Sequence, residues 1–280
     1  MTAKKTPHPT NQKQILMGYF VLAFAITWLL DIPRLLADNN LAEVPEGLIL
    51  IQNLAIFGPF LAAFILTYRA GQWDAVKTMW KRGWTLKADK KWILYILLLH
   101  LGINALTILV MQLIGQPVQW EYSQIPLPLV IPIFLGIYLL NALPEEYGWR
   151  GFALERLQTR WNALTASLIL GFIHGIWHLP LHFMEGTTQE VIPIHEFILI
   201  TMVGAVVYTW IYNSTNGNLF LMIFYHALGN VFGGLVPYWV SSEGRWVGFG
   251  VQLALAVGIV LIFGAKNLSR PAGAFPTDRK

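Results

Sequence analysis

The chain has 280 residues, 55% of them hydrophobic and 12% charged, with a formal net charge of +4. A soluble domain carries about 25% charged residues, so this balance, with a mean hydropathy of +0.53, argues for membrane residence and against a soluble globular fold. Basic residues scattered through short loops, rather than gathered on one face, argue against nucleic acid as a partner. The lack of cysteine excludes disulfides, thiol catalysis and cysteine-ligated metal.

In chain order, Met1 to Gln14 is polar, with Lys4, Lys5 and Lys13 ahead of the first apolar run, a pattern shared with signal peptides. No small-residue cleavage site follows Ile15 to Leu30, and "DIPRLL" extends the run, so an uncleaved signal-anchor helix is expected. A span needs about 20 apolar residues. Eight segments qualify, near Ile15–Leu36, Leu48–Tyr68, Trp92–Ile114, Leu127–Leu143, Ala163–Met184, Phe197–Tyr212, Leu219–Tyr238 and Val247–Ala265. The fourth is short and is expected to continue as helix past Glu145. "NSTNGN" at 213–218 reads as a turn. The expected fold is therefore all-α: a polytopic transmembrane helix bundle of about eight spans, one domain over 15–265, between polar tails at 1–14 and 266–280.

Charge orients the bundle. With the N-terminus in the cytoplasm, 17 of the 19 basic residues fall on the inner side, leaving Arg34 and Arg245 outside. That split follows the positive-inside rule for an even number of spans and predicts that both termini are cytoplasmic. The inner loop at 69–91 mixes Trp73, Trp80 and Trp84 with Lys and Arg. It reads equally as an interfacial amphipathic stretch against anionic lipid and as a solvated loop with aromatic anchors.

Ionisable residues within spans mark functional sites by default, and here they fall in three places. In "NALPEEYGWRGF", Glu146 and Arg150 stand at i and i+4 with the acid first, the favourable order for a pair. Glu145 projects about 100° away and is left free to exchange protons. In "FIHGIWHLPLH", His174, His178 and His182 follow at i+4 steps, with Pro180 expected to turn His182 off the shared face. In "FYHALGN", His226 and Asn230 share one face. A lone Glu pair is more often a solvated helix end, and a lone membrane His more often an interhelical hydrogen bonder. Three such groups on three spans fit a site better.

The chemistry they offer is water-driven hydrolysis. A carboxylate in a low-dielectric site can take a proton from water, a histidine can share or orient that water, and a histidine with an asparagine amide can donate to an oxyanion. The same atoms could hold zinc, with Glu145, His178 and His226 as ligands and one open position. The sequence leaves the cofactor open: none if the carboxylate acts alone, zinc if a metal is used. HExxH and GxSxG are both absent.

Glu145-Glu146-x-x-x-Arg150, "WHLP" around His178, and His226-x-x-x-Asn230 resemble the three motifs of the CPBP intramembrane proteases. That family includes the second kind of CAAX prenyl protease and the bacteriocin-processing and abortive-infection proteins. The resemblance covers roughly residues 125–235, and "FGPFLAAFILTYRAG" is a similar lead-in. It implies Glu145 as the water-activating base, Glu146 and Arg150 as its support, His178 as a partner for the water, and His226 with Asn230 as oxyanion donors. One departure stands out: His174 occupies the position, four residues before His178, where the family usually has an aromatic. His174 is accordingly a supporting residue.

The resulting expectation is a membrane-embedded endopeptidase cutting near the cytoplasmic membrane face, in a bacterial inner membrane. Its partners would be membrane lipids and a peptide or protein substrate, lipid-modified if prenylated tails are cut. The competing readings are a non-catalytic immunity or scaffold protein and a proton-coupled transporter. The absence of matching broken helices in the first half weighs against the transporter.

Overall fold

A computed structural model describes residues 9–270. Lys4, Lys5, Arg279 and Lys280, which carry part of the orientation expectation, lie outside the described residues. In order the helices are α1 (Pro9–Asp38), α2 (Glu46–Ile49), α3 (Gly58–Gly83), α4 (Lys91–Leu113), α5 (Val130–Ile137), α6 (Leu143–Gly148), α7 (Glu155–Gln158), α8 (Ala163–Trp177), α9 (Ile194–Ser214), α10 (Leu219–Leu235) and α11 (Ser242–Phe263). Among the described residues there is no strand, as an all-α membrane bundle requires.

Among the described residues, seven helical stretches are long and apolar enough to cross a membrane. The fourth runs through Gln158, so the helix does continue past Glu145. The remaining expected span is the shorter α10, of 17 residues, or about 26 Å at 1.5 Å per residue against a hydrocarbon core of about 30 Å. Its bounds are local: Asn218 caps the start by accepting from Leu221 N at 3.0 Å, and Pro237 stands just beyond the end.

The helices turn polar groups inward and apolar ones outward. On α4, Ile96, His100, Asn104, Thr107 and Met111 form the buried stripe, while Leu94, Leu98, Leu106 and Leu109 are exposed. This is the pattern of a helix whose outer face meets lipid. Between α8 and α9 the contact is close because Gly171 and Gly175 present no side chain. A Cβ on Gly171 would lie 2.6 Å from Met202 Cα, and one on Gly175 2.7 Å from Thr201 Oγ1. Small residues at this spacing let membrane helices approach closely.

The link between the second and third spans is helical through much of its length. α3 breaks at Gly71 and Gln72, the latter at φ 55°, and then resumes to Gly83. Trp73, Trp80 and Trp84 are all exposed on this arm, and one face of Trp80 stacks on Tyr147 with ring centroids 5.7 Å apart. Arg82 fastens the arm to Glu155 at 2.6 Å and to Tyr212 at 2.8 Å. Helical structure and exposed tryptophans favour the interfacial reading of this segment over the plain loop.

Contacts between links define two opposite faces. On one, Asn218 donates to Thr85 O, Asn213 to Asn267 O, and Ala163 N to Lys266 O. On the other, Arg34 donates to Glu185 O, Asn39 to Phe183 O, and Gln124 N to Gly234 O. The first face carries nearly all the basic residues of the links, and the second carries Arg34 and Arg245.

Candidate active site

The Glu145-Glu146 pair sits on α6, flanked by π-helical turns at Tyr138–Ala142 and Trp149–Leu154. Pro144 has no N–H to give to the preceding turn, and a π turn is one way a helix absorbs that loss. Such turns recur at functional sites. α6 is held tightly: a Cβ on Gly148 would meet Pro59 Cβ and Tyr19 Oη, each at 2.5 Å, so only glycine lets α1 and α3 close over it. Glu145 and Glu146 are both buried, at 3% and 0% exposure.

The two carboxylates are used differently. Glu146 Oε1 accepts from Arg150 Nη1 at 2.7 Å and from His226 Nδ1 at 2.8 Å. Arg150 in turn lies over the ring of Tyr208, 3.7 Å from its centroid. Glu145 has neither of these partners; its Oε2 is 2.8 Å from His174 Nε2. Glu146 is thus locked between a guanidinium and an imidazole, and Glu145 faces imidazoles and no guanidinium partner.

His178 caps α8, and its Nδ1 is 2.9 Å from His174 O. A carbonyl only accepts, so Nδ1 carries the proton and, in the neutral ring, Nε2 is left as an acceptor. By the same logic His226 gives its Nδ1–H to the carboxylate. Donation from its Nε2 to an oxyanion then calls for the doubly protonated ring, whose charge Glu146 balances. Asn230 donates Nδ2 to Asn141 Oδ1 at 2.7 Å, keeping its second N–H for another acceptor. Pro180 acts as expected: a 3₁₀ turn over Leu179–Phe183 replaces the helix, and His182 donates to Ile192 O at 3.0 Å, away from the cluster.

Glu145, Arg150, His174, His178, His226 and Asn230 all line one cavity of about 910 Å³. Gln124, Thr187, Gln189 and Trp239, from the links of the second face, line it as well. The cavity therefore reaches the face opposite both ends of the described chain. The two expectations of cytoplasmic termini and a cut near the cytoplasmic face do not fit this fold together.

For metal, the donor set differs from the expected one. Glu145, His174 and His178 each bring a ligand atom within 4.8 Å of the others, while His226 is turned to Glu146. One carboxylate and two imidazoles suit zinc with an open position. Those three residues would hold the ion, which would supply a polarised water.

Asn141 and Tyr208 are site residues that the motifs did not reveal, and Trp177, though it opens "WHLP", was given no role. Asn141 had a signal, a polar amide within an apolar run. Tyr208 had none, because aromatics in a span are usually packing or belt residues.

Residues 127–232 match a family model described as Type II CAAX prenyl endopeptidase Rce1-like. Over 256 residues the chain is 27% identical to the CAAX prenyl protease 2 of Methanococcus maripaludis, covering 87% of this chain and 92% of that protein. The apolar helices and these matches indicate an integral, multi-pass membrane peptidase. Over residues 127–232 the chain resembles the Rce1-like CAAX prenyl endopeptidases, the likeness that the three motifs led one to expect.

Proposed function

We propose that this peptidase hydrolyses a peptide bond inside the membrane cavity with Glu145 as the base that takes a proton from water. The observation that carries the reading is the contrast between two adjacent acids. Glu146 is committed to Arg150 and His226, whereas Glu145 has a direct hydrogen bond to His174 and has His178 nearby. In this reading His174 orients the Glu145 carboxylate, and the bare Nε2 of His178 helps to hold the attacking water. His226 and Asn230 stabilise the oxyanion, and Asn141 positions Asn230. Glu146 balances the charge of a doubly protonated His226 ring and Arg150 fixes the Glu146 carboxylate, an arrangement that costs no reorganisation as charge develops.

The substrate is a peptide or protein, and a prenylated C-terminal tail is the lipid-modified form suggested by the relative's name. The charge split supports cytoplasmic termini, which puts the cavity mouth and the approaching substrate on the other side of the membrane. Cleavage of a peptide library by the purified protein, compared with Glu145→Gln, tests the catalytic reading. The variant should fold normally and lose roughly 10²–10⁴-fold in rate, as for a missing general base. Near-normal cleavage by the variant would remove Glu145 from that role.

A further inference from the structure

The first span carries one acid that the hydrolytic site does not use. Asp31 is buried at 1% exposure in α1 and lines the same cavity as Glu145, together with Thr27, Gln52 and Asn53. Its Oδ1 has no hydrogen-bond partner among the described residues. A carboxylate at membrane depth is costly unless it is paired.

Gln52 hydrogen-bonds the Asp31 carboxyl and Arg34 is near enough to act on it, yet Arg34 makes its direct contacts elsewhere. Its Nε donates to Asp38 at 3.2 Å, its Nη1 to Gln52 Oε1 at 3.2 Å, and its Nη2 to Glu185 O at 2.6 Å. Asp31 is therefore an acid on a cavity wall with no direct ion pair among the described residues, and one oxygen open.

Its place relative to the chemistry follows from α1. Thr27, one turn earlier, accepts from Trp177 Nε1 at 2.9 Å and donates to Ala55 O at 2.7 Å. The Trp177 ring is 4.7 Å from that of His178. Asp31 lies about 5–6 Å further along α1, toward the end of the helix where the cavity meets the links. A peptide laid in the cavity, at about 3.3 Å per extended residue, would pass Asp31 a few residues from the bond that is cut.

We propose that Asp31 is a specificity-determining residue that receives a cationic group of the peptide substrate, a lysine or arginine side chain or a free α-ammonium. The proposal rests on the peptidase reading and deepens it. A charge-assisted contact in so enclosed a place should favour the cationic peptide by roughly 10–100-fold.

The test uses quenched peptides in which each position in turn carries lysine, Nε-acetyl-lysine or norleucine, with the N-terminus free or acetylated. The readout is the ratio of kcat/KM for charged over neutral peptides. The full chain should prefer lysine at one position, or the free terminus, and these arms separate the two sources of the ammonium. In Asp31→Asn that ratio should fall to about one, and in Asp31→Glu it should largely survive.

A full chain blind to charge at every position overturns the proposal without recourse to any variant. So does a preference that Asp31→Asn leaves intact. Binding of the same peptides, measured by fluorescence anisotropy on Glu145→Gln with and without Asp31→Asn, separates the two readings. Charge-dependent binding without any cleavage by the full chain would retain the subsite and sink the peptidase. Cleavage with charge-blind binding would do the reverse.

Discussion

Replacing Glu146 by glutamine removes the carboxylate that Arg150 and His226 share. In the structure Oε1 accepts from Arg150 at 2.7 Å and from His226 at 2.8 Å, with the side chains of Glu146 and Arg150 only 0% and 3% exposed. The amide still offers an acceptor oxygen, and the Tyr208 ring still faces the guanidinium, a contact of about 0.5–2 kcal/mol. Neither replaces the lost charge. Breaking a buried pair from one side costs about 3–5 kcal/mol, because the other charge is left uncompensated. At roughly 2–4 °C per kcal/mol for a large domain, Glu146→Gln should lower Tm in detergent by about 6–20 °C. Arg150→Met in the same background removes the orphaned cation and should recover part of that loss. Turnover should stay low in both, since His226 has lost the carboxylate that balances its charged form. The assay needs a melting curve and a peptide-cleavage rate for three proteins. If Glu146→Gln melts like the parent while Glu145→Gln cleaves normally, the division between base and support is reversed.

The other predictions concern neighbouring parts of the site. His178→Ala should lose most activity, while His182→Ala, whose ring bonds Ile192 O outside the cluster, should lose about 0.5–1.5 kcal/mol of stability and keep cleavage within a few-fold; equal losses of rate would contradict this geometry. Asn141→Ala should lower kcat by roughly tenfold with little change in KM, because Asn230 loses the carbonyl that orients it; an effect confined to KM would argue for a substrate contact instead. In a chain without native cysteine, a single cysteine at Gln189 should react with an impermeant thiol reagent in intact cells and one at Lys87 should not; the opposite result would turn the molecule over in the membrane. Cleavage should survive exhaustive chelation, whereas loss restored by zinc would make Glu145, His174 and His178 ligands.

The sequence by itself settled what depends on neighbours along the chain. Composition and run length gave a helical membrane bundle, because lipid leaves a spanning backbone few ways to satisfy its polar groups. The Glu146–Arg150 pair was legible because i and i+4 meet on any helix, and the diversion of His182 because Pro180 acts on its own turn. One boundary was not legible: the run read to Tyr238 forms helix only to Leu235, with Pro237 just beyond. What only the tertiary structure decided is which helix face meets which. His226 lies 80 residues from Glu146, His174 lies 29 from Glu145, and Asn230 lies 89 from Asn141. No periodicity in the chain fixes the rotation that brings these atoms together. That rotation follows from how closely the helices pack, through contacts such as those at Gly148, Gly171 and Gly175. The same packing left Glu145 without a guanidinium, turned His226 away from the metal set expected for it, and opened the cavity on the face opposite the basic links.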